Sequence, residues 1–248
     1  MSQNNQLSLL YEGKAKIIYQ TEQSDQLIQY FKDEATAFNA EKKAVLSEKG
    51  ILNNYISAAI MEYLAASGIK THFIKRLDQR RQFIKRLTII PIEVIIRNYA
   101  AGSLVKRLAF TEGALLTPPI CEFCYKNDAL KDPLINHDHM IALKIANSAQ
   151  IAYIKEQALK INQHLINFFA QAGINLIDFK LEFGLDQKQQ IILADDISPD
   201  SARLWDNQTK QKMDKDRFRQ DLGNVVAFYR EVAKRLQINF NQSKDEKA

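Results

Sequence analysis

Ile177-Asp178-Phe179-Lys180-Leu181-Glu182-Phe183-Gly184 alternates without a break. Successive side chains of an extended chain point to opposite faces. Ile177, Phe179, Leu181 and Phe183 therefore share one face, and Asp178, Lys180 and Glu182 share the other. One apolar and one polar face is the pattern of an antiparallel sheet. A solvated polar face would explain the alternation by itself. The next apolar run, Ile191-Ile192-Leu193-Ala194-Asp195-Asp196, ends on two carboxylates. If residues 187–190 form a four-residue hairpin loop, Glu182 falls directly opposite Asp195. Like charges so placed repel. A divalent cation between them reverses the sign, and magnesium commonly uses one or two carboxylates plus substrate phosphates.

Working outward, strands are expected at Leu10–Tyr19, Leu27–Phe31, Thr71–Arg76, Gln82–Leu87 and Ile89–Asn98, the last with Pro91 at its start or edge. Helical spacing is expected over 53–67, stopped by Gly68. A short helix opens at Ala101-Gly102-Ser103, and Thr111–Pro119 reads as loop. Ser148 is expected to cap a long helix that ends at Gly173, with Phe168 on its inner face. A last helix is expected from Asp214 to Leu236, with Phe218, Leu222, Val225, Tyr229 and Val232 inward, before a frayed polar tail over 239–248. Strands and helices mixed in this way indicate an α+β fold.

Composition narrows the class. The chain has 248 residues, a net charge of +5, two cysteines and eight glycines. It is long enough for a sizeable core. No run approaches the roughly 18 apolar residues of a membrane helix, and the polar start lacks a signal-peptide layout. Two cysteines make no disulfide framework, so a cytoplasmic location is expected. The mild basic excess suits small anions as well as nucleic acid, and no nucleic-acid motif supports the latter.

Three further segments carry chemistry. In Glu12-Gly13-Lys14-Ala15-Lys16, Gly13 permits close approach while Lys14 and Lys16 share a strand face that could lie over a polyphosphate; taken alone, the segment reads better as an edge strand blunted by lysine. In Arg97-Asn98-Tyr99-Ala100-Ala101-Gly102-Ser103, the helix start, the Ser103 hydroxyl and Arg97 could hold an anion, or Ser103 could simply be a cap. Ser198-Pro199-Asp200-Ser201-Ala202-Arg203-Leu204-Trp205 is a turn just after the carboxylate pair, where sites tend to lie. Cys121-x-x-Cys124 with His137 and His139 imitates a zinc spacing, but one residue between the histidines is too few.

Together these segments, with Lys126-Asn127-Asp128-Ala129-Leu130 and Asp132-Pro133, resemble the bacterial SAICAR synthetase family in order and spacing. The resemblance implies ligation of L-aspartate to the ribonucleotide CAIR using ATP and Mg2+, in de novo purine synthesis. It also implies two lobes with antiparallel sheets and flanking helices, residues 1–87 and 88–248, with a distantly kinase-like ATP cleft between them, and a homodimer. Gly13, Lys14, Lys16 and Lys85 would then serve ATP. Glu182 and Asp195 would hold magnesium. Arg97, Ser103 and Arg203 would grip the CAIR phosphate. Lys126, Asp132, Lys180 and Asp200 would line the imidazole and carboxylate region, with Asp178 supporting that face. Asp200 and Asp178 are candidates to take the amine proton. A small-molecule kinase using the same ATP and magnesium site is the alternative.

Overall fold

The computed structural model describes residues 7–37 and 41–240. Its first half runs β1 (Leu9–Glu12), β2 (Lys16–Gln20), β3 (Gln26–Phe31), β4 (Glu34–Ala37), β5 (Lys42–Val45), α1 (Lys49–Ala66), β6 (Phe73–Arg76) and β7 (Arg81–Lys85). An antiparallel sheet of order β1-β2-β3-β7-β6 forms its frame, and β4 and β5 make a separate ribbon. The expected single strand over Leu10–Tyr19 is instead a hairpin. Glu12 pairs with Ile17, and Gly13 N–H donates to Lys16 C=O at 2.8 Å. Lys14 therefore stands in a turn and does not share a strand face with Lys16.

Helix α1 starts four residues before its expected boundary, because Lys49 and Gly50 precede the apolar repeat that marks it. Gly68, at φ +82°, lies just beyond its end as expected. Leu52, Ile56, Ile60, Met61 and Leu64 are buried in the same core as Ile154 and Ile161 of the second half. Each side chain fully buried there stabilises by about 1.5–3 kcal/mol.

The second half runs β8 (Thr88–Tyr99), α2 (Ser103–Leu108), β9 (Leu115–Tyr125), β10 (Leu134–Ile135), α3 (His137–Ala142), α4 (Ser148–Gln171), β11 (Ile174–Leu185), β12 (Ile191–Ala194), β13 (Ala202–Asp206), α5 (Asp216–Arg219) and α6 (Val225–Arg235). Its sheet has the order β10-β9-β8-β11-β12, with β13 also paired to β11. Pro91 lies inside β8 where the β8–β11 register shifts, so the bulge accommodates its missing N–H. Leu115–Pro119, expected as loop, begins β9. Its two prolines fall where the pairing of β9 with β8 is irregular.

Asn147, rather than Ser148, caps α4; its side chain and that of Gln150 bond reciprocally to each other's N–H, both at 2.9 Å. Phe169 is the buried residue at the inner face, and Phe168 stacks partly exposed on Tyr63. The long terminal helix is broken into α5 and α6. Asp221, Gly223 and Asn224 all have positive φ, and Leu222 is exposed. Arg217 makes the break possible by donating to the Leu222 and Gly223 carbonyls, each at 2.8 Å. Of the expected frayed tail, residues 241–248 lie outside the described residues.

Candidate active site

Strand β11 aims its polar face into a cleft of about 870 Å³ between the two sheets. Phe179, Leu181 and Phe183 enter the main core, as the alternation requires. Ile177 does not join them. A bulge between Leu176 and Asp178 sends it to Ala101 and Trp205. The polar face is not solvated either: Asp178 and Glu182 are buried. Every site residue named from the sequence lines this cleft.

At one end, lysines and carboxylates interleave. Lys180 Nζ lies 2.5 Å from Glu182 Oε1, 3.0 Å from Asp195 Oδ2 and 3.2 Å from Glu93 Oε1. Lys126 Nζ reaches Glu182 Oε2 at 2.5 Å. Lys16 contacts both Asp195 and Asp196. Burial alone would push the Lys16 and Lys180 ammonium groups down in pKa. The carboxylates beside them reverse this and raise both. Burial would likewise raise Asp195, but Lys16 and Lys180 hold it well below the usual carboxylate range.

The assumed register is off by one. Glu182 faces Ala194, and Asp186 to Gln190 form a five-residue loop. Asp195 follows at φ +61°, which carries its side chain back to the same ammonium. The two carboxylates thus still meet, through a turn instead of a cross-strand pair.

Among the described residues no three acidic, histidine or cysteine side chains form a ready-made metal cage. The donor set nevertheless suits magnesium: hard carboxylate oxygens, those of Glu182 and Asp195 on one nitrogen, opening onto space for phosphate and water.

At the other end, two arginines bracket Asp178. Arg97 Nη1 is 3.0 Å from Asp178 Oδ2, and Arg203 Nη1 is 3.0 and 2.8 Å from its two oxygens. Arg97 also bonds Glu122 at 2.7 Å and the Ser103 hydroxyl at 3.2 Å. Ser103 is not a cap: it is the first residue of α2, and Gly102 precedes it. Gly102, at φ +57°, lies against the Arg203 guanidinium, where a Cβ would overlap it. Arg203 is completed by Asp216 at 2.7 Å.

Lys14 bridges the mouth to Asp128 at 2.7 Å, and both are exposed. Lys85 donates to the Thr71 carbonyl at 3.0 Å, near the apolar Ile18, Leu27 and Ile84. Asp132 accepts from Asn127 N–H at 2.8 Å. The oxygens of both candidate bases already accept strong donors. Asp178 holds two arginines, while Asp200 accepts from Lys49 Nζ at 2.6 Å and Tyr229 Oη at 2.7 Å.

The sequence reading missed Glu93, Lys49, Lys215, Asp216 and His72. Glu93 was findable, because Glu93, Ile95 and Arg97 share one strand face. His72 lines the cleft with both ring nitrogens unpartnered, and burial lowers its pKa to about 4. The Cys121 and Cys124 thiols are three residues apart on β9, so they leave opposite faces, and burial raises both to about 11. His139 takes part in capping α3, and His137 bonds Ser148 at 3.1 Å.

A sequence model of the SAICAR synthetase family matches residues 9–236. The chain belongs to that family. The phosphoribosylaminoimidazole-succinocarboxamide synthase of Wolinella succinogenes is 54% identical over 230 residues, 92% of this chain and 98% of the relative. The crystal structure of the Ehrlichia chaffeensis synthase superposes with a TM-score of 0.92 at 51% identity, covering 94% of this chain and 99% of the other. A SAICAR synthetase in complex with ADP gives 0.90 at 47% identity, over 92% and 97%.

Proposed function

We propose that this chain is the ATP-dependent ligase that joins L-aspartate to the carboxylate of CAIR, giving SAICAR, ADP and phosphate in purine synthesis. One observation carries the reading: a single cleft holds a cation–carboxylate cluster and, at its far end, two arginines fixed on Asp178.

A carboxylate is a poor electrophile toward an amine, because expelling oxide is prohibitive. A CAIR carboxylate oxygen attacks the γ-phosphorus of ATP, the bond to the β–γ bridging oxygen breaks, and ADP leaves. The aspartate nitrogen then attacks the acyl phosphate carbonyl. The bond to phosphate breaks, phosphate departs with the electron pair, and the amine gives up a proton. No side-chain nucleophile is needed. The protein's work is positioning and charge neutralisation.

Lys14 and Lys16 neutralise the ATP phosphates, Gly13 permits their approach, and Lys85 stands at the adenine end. Arg97, Ser103 and Arg203 hold the CAIR phosphate. Lys126, Asp132, Lys180 and Asp200 surround the reacting carboxylate, backed by Asp178. Glu182 and Asp195 would hold magnesium, which when bound adds positive charge where the phosphoryl group is transferred. Their present lysine partners would turn to phosphate oxygens.

Residues 1–87 and 88–248 act as two lobes that share α1. The enzyme works as a homodimer, for which exposed Leu108, Leu115, Leu134 and Ile141 offer apolar surface. It resides in the cytoplasm, in keeping with its free thiols. Its basic groups converge inside the cleft, which favours small anions over nucleic acid.

The test is isotopic. CAIR carrying 18O in its carboxylate should deliver one labelled oxygen to the released phosphate. Unlabelled phosphate would exclude the acyl phosphate route.

A further inference from the structure

Asp200 is held from behind. Lys49 lies in the first turn of α1 and is 1% exposed; Tyr229 lies on α6 and is 0% exposed. Neither is among the residues lining the cleft, whereas Asp200 is. Lys49 Nζ occupies Oδ2 and Tyr229 Oη occupies Oδ1. Each carboxylate oxygen can accept twice, so one acceptor site per oxygen stays available. Stability alone is a weak reason for this arrangement. Replacing a buried ion pair by apolar groups is often neutral or stabilising, and phenylalanine would fill the Tyr229 site equally well.

We propose that Lys49 and Tyr229 are positioning residues for the ligation, acting through Asp200, whose carboxylate they fix toward the cleft. The proposal rests on the reading of Asp200 as a substrate-facing residue. It removes Asp200 as the acceptor of the amine proton, since a carboxylate holding two strong donors is a weak base. The groups facing Asp200 are Lys49 from α1, Lys215 just before α5 and Tyr229 from α6, with Arg219 of α5 close to Tyr229. Burial would raise the Asp200 pKa, but Lys49, Lys215 and the Tyr229 hydroxyl bring it far below the ordinary value. Losing the hydroxyl therefore raises it.

The experiment compares Tyr229→Phe, Lys49→Met, Lys49→Arg, Asp200→Asn and the Tyr229→Phe/Asp200→Asn pair in the full chain, each checked by circular dichroism. Asp200→Asn should lower kcat/KM for aspartate by about 100-fold. Tyr229→Phe should lower it about 10-fold. In the Asp200→Asn background Tyr229→Phe should add almost nothing. Lys49→Arg, which keeps the donors, should exceed Lys49→Met. Independent multiplication of the two losses overturns the positioning role. Wild-type turnover in Asp200→Asn overturns instead the reading of Asp200 itself. If Tyr229→Phe does not fold, the Lys49 pair decides: equal activity in both variants overturns the role.

Discussion

Glu182 and Asp195 meet on one nitrogen. Lys180 Nζ lies 2.5 Å from the first and 3.0 Å from the second. These oxygens are thus no further apart than the two contacts laid end to end. The same ammonium also reaches Glu93. Lys16, Lys126 and Lys180 supply the positive charge that holds these carboxylates together.

Removing either carboxylate should cripple turnover while sparing the fold. Glu182→Ala and Asp195→Ala should each lower kcat by about 100-fold or more, the scale of losing one electrostatic stabiliser. Steady-state rates across a magnesium titration, with far-UV circular dichroism, check this. Near-normal kcat in either variant would defeat the metal assignment.

Asp178 neutralises two arginines in the interior, so Asp178→Asn should cost stability as well as CAIR affinity. Breaking a buried ion pair typically costs about 3–5 kcal/mol. At about 2–4 °C per kcal/mol for a chain this size, Tm should fall by roughly 10 °C. Calorimetry measures the fall, and KM for CAIR should rise beside it. An unchanged Tm would mean that the arginines find other partners.

Lys14 makes the contrasting case. Its partner Asp128 is exposed, and such pairs contribute about 0–1 kcal/mol. Lys14→Ala should leave urea unfolding almost unchanged and raise KM for ATP. Unchanged KM for ATP would remove Lys14 from the phosphate site.

Asp214 gives stability a pH dependence. Its buried carboxyl, with Asp216 beside it, is pushed up to about 7. Between about pH 4 and 7 the folded chain keeps a proton that the unfolded chain has released, taking the usual Asp pKa near 4. Stability from this site therefore falls as pH rises across that window and levels off above it. Asp214→Asn cannot titrate, so its urea midpoint should gain on the wild type steadily from pH 4 to 7. A constant difference would show that Asp214 is ionised throughout.

Much of this was readable in the residues because charge and periodicity coincide. The alternation of Asp178, Lys180 and Glu182 placed three cleft groups on one face correctly. Their burial was not readable, because a cleft wall and a solvated face share one pattern. The Glu182–Asp195 register was missed by one residue, since a five-residue loop and a positive φ at Asp195 leave no mark in hydropathy. The α5–α6 break was hidden because the apolar repeat from Phe218 to Val232 continues through Leu222 even though the backbone turns. Lys49 gave no signal at all: lysine is almost never fully buried without a partner, and that partner lies 151 residues away.

The decisive measurement is ADP release by the purified chain supplied with ATP, magnesium and CAIR, with and without L-aspartate. Ligation predicts ADP, phosphate and SAICAR in equal amounts, with sustained turnover only when aspartate is present. Sustained ADP release without aspartate, accompanied by a stable phosphorylated product, would contradict it and make the cleft that of a kinase.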